Sequence, residues 1–214
     1  MRLAAVVILI AAGLLARPAA AAAQLPAAGA PGPYVIDLRG ATSGLPTSSS
    51  FYPPVDEPIT VPARGFGFEA GGHIYPLTFG PARIGLGLSF TQVRGTATAL
   101  AATMRLVAPQ VSFNFGTSRG WSYLSAGLGV AGMTTRLEGT PAGESDTATI
   151  AATADSGRVR SLNFGGGARW FITGHFAASF DVRFHRVAAG SPRDGRDGTP
   201  GGTVTVVSAG LSVK

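Results

Sequence analysis

The sequence predicts an all-β protein: an eight-stranded antiparallel transmembrane β-barrel of up-and-down order, following a cleaved signal peptide. Three observations carry this. The chain starts with an apolar export segment, eight later stretches alternate apolar and polar residues, and the connections between them alternate between long and short.

In the export segment, Met1-Arg2 supplies a short positive start, Leu3 to Ala16 an apolar stretch, and Ala19 to Ala23 the small residues before Gln24 that a cleavage site needs. The apolar stretch falls short of the ~20 residues of a membrane helix, and Arg17-Pro18 closes it. The expected organisation is a signal peptide over 1–23, a flexible Ala/Pro/Gly leader over 24–33 and one barrel domain over 34–214. Losing Arg2 and Arg17 takes the formal charge from +6 to +4.

Composition narrows the function classes. A length of 214 residues suits one all-β domain. With 45% hydrophobic and 13% charged residues, 31 glycines and 15 prolines, the chain suits short strands joined by turns. Its basic residues are 16 arginines and Lys214, dispersed without a basic run, so no nucleic-acid partner is expected. Cysteine is absent, which excludes a disulfide framework and thiol chemistry. There is no HExxH, no histidine pair at ligand spacing and no EF-hand loop, and Asp194 and Asp197 lie in a turn-rich Arg-Asp-Gly-Arg-Asp-Gly segment. No metal or other cofactor is expected.

A period of two marks each strand. Tyr34, Ile36 and Leu38 alternate with Val35, Asp37 and Arg39; Phe66, Phe68, Ala70 and Ile74 with Gly67, Glu69, Gly71 and His73. Ile84 to Phe90 and Val111 to Phe115 give the third and fourth, Leu124 to Val130 the fifth, Leu162 to Trp170 the sixth, Phe176 to Phe184 the seventh and Thr205 to Val213 the eighth. Gly40 to Gly65, Gly95 to Met104, Leu137 to Arg158 and Ala188 to Gly202 read as long connections, the Ala-rich Thr96 to Thr103 included, since it lacks a helical stripe and caps. Pro76 to Pro81, Thr117 to Gly120 and Ile172 to Gly174 read as short turns. Long loops on one side, short turns on the other and an even strand count are features of transmembrane barrels.

Alternation also describes soluble barrels, so the polar face decides which side meets lipid. A water-facing surface carries roughly a quarter or more charged residues. Here the polar positions are mainly Gly and Ser, with long charged side chains occurring singly as Asp37, Arg39, Glu69, Arg83, Arg169, Asp181 and Arg183. Small residues that leave room for a few long ones describe a crowded interior, so these seven are read as a structural charge network in the lumen, with Arg39 and Glu69 paired across the first two strands. On the apolar side, Tyr34, Phe115, Trp170 and Phe176 toward the turns and Phe66, Phe90 and Phe184 toward the loops suit two interfacial girdles.

The stretch Asn163-Phe-Gly-Gly-Gly-Ala-Arg-Trp-Phe-Ile-Thr-Gly-His-Phe-Ala-Ala-Ser-Phe-Asp-Val-Arg183 resembles the penultimate hairpin of the small outer-membrane β-barrel proteins, the group that includes the OmpA transmembrane domain and OmpX. The resemblance covers Tyr34 to Lys214. It implies a porin-like fold in the outer membrane of a Gram-negative cell envelope, contact with outer-membrane lipid and lipopolysaccharide, and delivery by the barrel assembly machinery. Members usually end in an aromatic residue; this chain ends Gly210-Leu-Ser-Val-Lys214, with the alternating apolar residues but not the aromatic one. No peptidoglycan-binding domain is expected after the barrel, so the anchoring role of longer family members is not implied.

The expected function is a monomeric barrel with a structural or surface-recognition role, its lumen plugged and its long loops the place for an external ligand. A narrow passive pore is the alternative, and a soluble periplasmic barrel with a ligand-filled core is a further one. Some barrels of this class modify lipid A with a His, a Ser and an acid. His73, His175 and His185 lack such a constellation in the sequence, so no enzyme activity is expected.

Overall fold

The computed structural model describes residues 32–53, 60–80, 82–98, 100–117, 119–137, 153–192 and 198–214. The segment read as signal peptide, most of the leader, and the centre of the Leu137 to Arg158 connection lie outside the described residues, as do Asp194 and Asp197.

Among the described residues nine strands form: β1 (Tyr34–Gly44), β2 (Arg64–Phe79), β3 (Ala82–Ala97), β4 (Leu100–Thr117), β5 (Gly120–Leu137), the short β6 (Thr153–Asp155), β7 (Val159–Phe171), β8 (Phe176–Val187) and β9 (Gly202–Val213). Each long strand pairs antiparallel with its neighbours in sequence, β4 with β5 included, and β9 closes on β1. The result is a closed eight-stranded meander in which only β6, added to the outer end of β5, stands outside the cycle. Closure leaves none of the eight strands with an unpaired edge, as a hydrocarbon environment requires.

Most strands run past the bounds read from the sequence, and two connections differ in kind. The expected long connection from Gly95 to Met104 is a tight hairpin: β3 runs to Ala97, β4 starts at Leu100, and Thr98 takes a positive φ of 44°. Nothing marked it because the turn carries no glycine or asparagine, the residues that normally supply a positive φ there. The connection after Leu137 also contains β6, which pairs Thr153 to Asp155 with Arg136 to Thr134.

A transmembrane strand needs about 9–11 residues, whereas β4 and β5 each have 18. The surplus lies on the loop side, and there the facing pattern inverts. Through the lower barrel the outward residues are apolar, as in Leu86, Leu88, Val111, Phe113, Leu124 and Leu128, and the inward ones polar, as in Ser89, Gln110, Ser112 and Ser125. Above Phe90, Val107 and Val130 the outward residues become Gln92, Arg94, Arg105, Thr134 and Arg136, while Val93, Leu100, Met104, Leu106 and Met133 fill the inside. A wall in lipid must be apolar outside, and one in water must be apolar inside. The inversion therefore marks where the barrel leaves the membrane.

The interior has three layers. At the turn end Val35, Tyr75, Trp121 and Phe171 pack together, with the Trp121 and Phe171 rings 4.7 Å apart. Polar and charged side chains occupy the middle. At the loop end the apolar cluster of Val93, Leu100, Leu106, Met133 and Val206 includes Leu45 and Tyr52 from the β1–β2 connection. That connection folds over the mouth, held to β5 where Thr135 Oγ1 donates to the Phe51 carbonyl at 3.0 Å and braced internally where Tyr52 Oη donates to the Pro46 carbonyl at 2.6 Å.

Candidate functional site

The middle layer is a belt of ion pairs built from positions that point inward by strand parity. Asp37 and Arg39 are two apart on β1, and register places Glu69 of β2 opposite Arg39. Arg169 comes from β7, Asp181 and Arg183 from β8. All six are nearly inaccessible to solvent.

Asp37 and Arg39 are the hubs. Asp37 accepts two hydrogen bonds from Arg169, from Nε at 2.9 Å and Nη2 at 2.6 Å, and a third from Ser212. Its Oδ1 also lies 2.8 Å from Arg39 Nη2. Arg39 donates to Glu69 Oε1 at 2.7 Å, to Ser179 at 3.0 Å and to Tyr123 Oη at 3.2 Å. Ser208 donates to the other oxygen of Glu69 at 3.1 Å. Buried charges persist only when partnered, and here three carboxylates face three guanidinium groups, so the belt is neutral.

Tyr123 joins the two halves. Its hydroxyl donates to Asp181 at 2.6 Å, and the Arg169 guanidinium sits 4.2 Å from the centre of its ring, a stacking geometry that favours arginine. Arg183 closes the far side, donating to Asp181 at 3.0 Å and Asn163 at 3.2 Å. The ring of Tyr123 reaches across β7 because position 167 is glycine: a Cβ there would collide with the Phe180 carbonyl and stand 2.7 Å from the Tyr123 hydroxyl. Gly167→Val is expected to destabilise the barrel by about 1–3 kcal/mol, the usual cost of overpacking, read as a lower urea midpoint in lipid vesicles.

The seventh charged residue, Arg83, is buried near the turn end of β3 and makes no ion pair among the described residues. The structure thus brings six of the seven sequence-selected residues into one network and leaves Arg83 beside it. Sequence reasoning missed Tyr123, because the fifth strand was started at Leu124. The alternation that places Ser125 inward extends back to Tyr123 and Trp121 and carried the signal.

The histidines are dispersed. His73 stacks on Tyr75, ring centres 6.3 Å apart, with Nδ1 3.9 Å from Asp37. His185 is buried on β8. His175 lies in the β7–β8 turn, its Nδ1 3.1 Å from the Lys214 carbonyl. The Lys214 ammonium rests 3.8 Å from the centre of the Phe171 ring and 5.2 Å from that of Trp121, and partial burial draws its pKa below the ordinary lysine value. At the opposite mouth, burial pushes the Tyr52 phenol up.

Among solved structures, Neisserial surface protein A (NspA) superposes with a TM-score of 0.57 at 13% identity, covering 86% of this chain and 97% of that one. The fold is that of a small outer-membrane β-barrel. Ail, the attachment invasion locus protein of Yersinia pestis, aligns at 12% identity over 84% of this chain and 96% of its own, TM-score 0.47. The N-terminal β-barrel domain of Pseudomonas aeruginosa OprF aligns at 12% identity over 86% and 98%, TM-score 0.37. No protein-family model and no curated protein sequence matches the chain.

Proposed function

We propose that this protein is a plugged, non-enzymatic barrel of the outer membrane that acts as a rigid structural platform for its external loops. The observation that carries this is the stacking of three filled layers inside one lumen: aromatic side chains at the turn end, the neutral ion-pair belt, and the apolar cluster beneath the folded β1–β2 connection. An eight-stranded barrel is only wide enough for its own side chains. An ion would have to displace the Arg39–Glu69 and Arg169–Asp37 pairs to pass.

Outside the lipid-facing band, an open pocket of 460 Å³ at the mouth gives a recognition role a physical place. Leu45, Phe51, Met104, Met133, Val187 and Val204 line it, and its volume lies within the usual range of small-ligand sites. The orientation that puts this mouth outside the cell follows the general asymmetry of such barrels, long loops external and short turns periplasmic.

Single-channel recording in a planar lipid bilayer tests the plug. The purified barrel is expected to insert without steady conductance, and Arg39→Ala with Glu69→Ala, which empties part of the belt, to give more frequent openings than the parent. Steady nanosiemens openings from the parent chain would replace the plugged reading with that of a pore.

A further inference from the structure

One charged side chain of the lumen stands outside the neutral belt. Arg83 lies inward near the turn end of β3, is only 8% exposed, and forms no ion pair among the described residues. Its Nε has no hydrogen-bond partner there either. With Asp37, Glu69 and Asp181 matched by Arg39, Arg169 and Arg183, Arg83 leaves the lumen with a surplus of positive charge. A buried charge is costly unless one of opposite sign meets it.

The groups around it are short of acceptors. Asn114 is directly opposite Arg83 on β4; its Nδ2 donates to the Arg83 carbonyl at 3.3 Å and to Ser112 Oγ at 2.8 Å. One inward position above Arg83 is Gly85, where an added Cβ would collide with Ser112 Oγ and stand 2.8 Å from the ring of Tyr75. The Tyr75 ring meets that of Trp121 edge-on, centres 6.2 Å apart, and register sets Trp121 beside Arg169. Neighbours thus follow one another around the turn-end section of the lumen, from β3 through β4, β2 and β5 to β7. In that section Arg83 Nε, Trp121 Nε1 and Arg169 Nη1 are buried without a hydrogen-bond partner among the described residues, and all three can only donate. The Tyr75 hydroxyl, likewise unpartnered, can donate as well. The fixed acceptor among the unpartnered groups is Asn114 Oδ1; the His73 ring can accept at one nitrogen and donate at the other.

We propose that this section of the lumen binds a small monovalent anion of the chloride type, held by Arg83, with Trp121 Nε1 and the unused Arg169 Nη1 as further donors. Such an ion accepts from each of these groups and supplies the missing negative charge. Water would accept from the same donors but would leave the charge unmatched. A closely packed interior favours a single-atom anion over sulfate or phosphate. The site lies on the turn side of the belt, where Arg83 keeps its small exposure.

Trp121 makes the site readable, because it is 2% exposed while the chain's other tryptophan, Trp170, lies on the outer wall at 57%. The full chain carrying Trp170→Phe, folded in neutral detergent, is titrated with sodium bromide, a heavy-atom quencher of indole emission, with sodium gluconate holding the ionic strength constant. Quenching of Trp121 is expected to saturate and to be reversed by chloride. In the same background Arg83→Gln should raise the half-saturating bromide concentration about tenfold or more, as loss of a charge-assisted hydrogen bond should. Arg119→Gln, which removes an exposed arginine at the turn end, should leave it unchanged. A heat-modifiable gel band confirms that each variant is folded, and saturation and reversal are read with the lumen intact, so they need no lumen variant. Absent quenching, quenching that rises linearly without saturating, failure of chloride to reverse it, or an unchanged half-point in folded Arg83→Gln would overturn the site. The site goes beyond the plugged reading and does not rest on it: steady channel conductance would remove the plug and leave the halide titration to stand or fall by itself.

Discussion

Asp37→Leu is expected to destabilise the barrel by about 3–5 kcal/mol, the usual penalty for removing one partner of a buried ion pair. The loss is large because Asp37 serves two guanidinium groups: without it Arg169 keeps only its place over the Tyr123 ring, while Arg39 keeps Glu69. The informative variant is the double one. Asp37→Leu with Arg169→Leu removes one charge of each sign, leaving Arg39 with Glu69 and Arg183 with Asp181, and replacing a whole buried pair by apolar residues is often neutral. Urea unfolding in lipid vesicles should show the double variant recovering most of the single variant's loss. Losses that simply added would mean that Asp37 and Arg169 are not energetically coupled, whatever their distance.

The legibility of this belt in the sequence has a physical cause. In the lipid-embedded part of the chain, inward and outward positions differ so strongly in chemistry that parity alone assigns the charges to one face, as with Asp37 and Arg39 between Ile36 and Leu38. Which charges meet is harder, since it depends on strand register. Arg39 and Glu69 lie on sequence neighbours joined by one connection and could be set opposite each other. Arg169 and Asp37 are on β7 and β1, which do not pair; they meet only because the barrel is closed and narrow. No local pattern announces such a contact.

The upper barrel is less legible in the sequence, for a related reason. A period of two continues through Gln92, Val93, Arg94 and on to Arg105 and Leu106, but the apolar residues now sit on the opposite parity from those in the lipid band. A scan that fixes the phase on Leu86, Leu88 and Phe90 takes the change as the end of the strand. The structure shows instead one continuous strand crossing from one solvent to another, so the reversed phase is a signal of depth. That loss of phase also hid the apolar cluster of Leu100, Met104 and Met133, which the interior of a purely lipid-embedded barrel would not hold.

Leu38→Arg is expected to cost about 2–4 kcal/mol of folding stability in a bilayer, the range for an arginine on the lipid face near the midplane. Leu38 is 64% exposed and points away from the lumen, lying on β1 between Tyr34 near the turn end and Thr42 near the loop end. On a water-facing wall an exposed leucine is no asset, and the same substitution would be close to neutral, so the sign of the effect identifies the solvent. Register sharpens the comparison, because Leu38 sits opposite Ala70 and Leu211, also on the outer wall, and no lumen partner is disturbed. Folding into lipid vesicles followed by urea titration should give a large loss for Leu38→Arg and a much smaller one for Thr96→Arg, at the exposed loop end of β3 opposite Ala101. Equal costs at the two depths would mean that the apolar band does not lie in hydrocarbon.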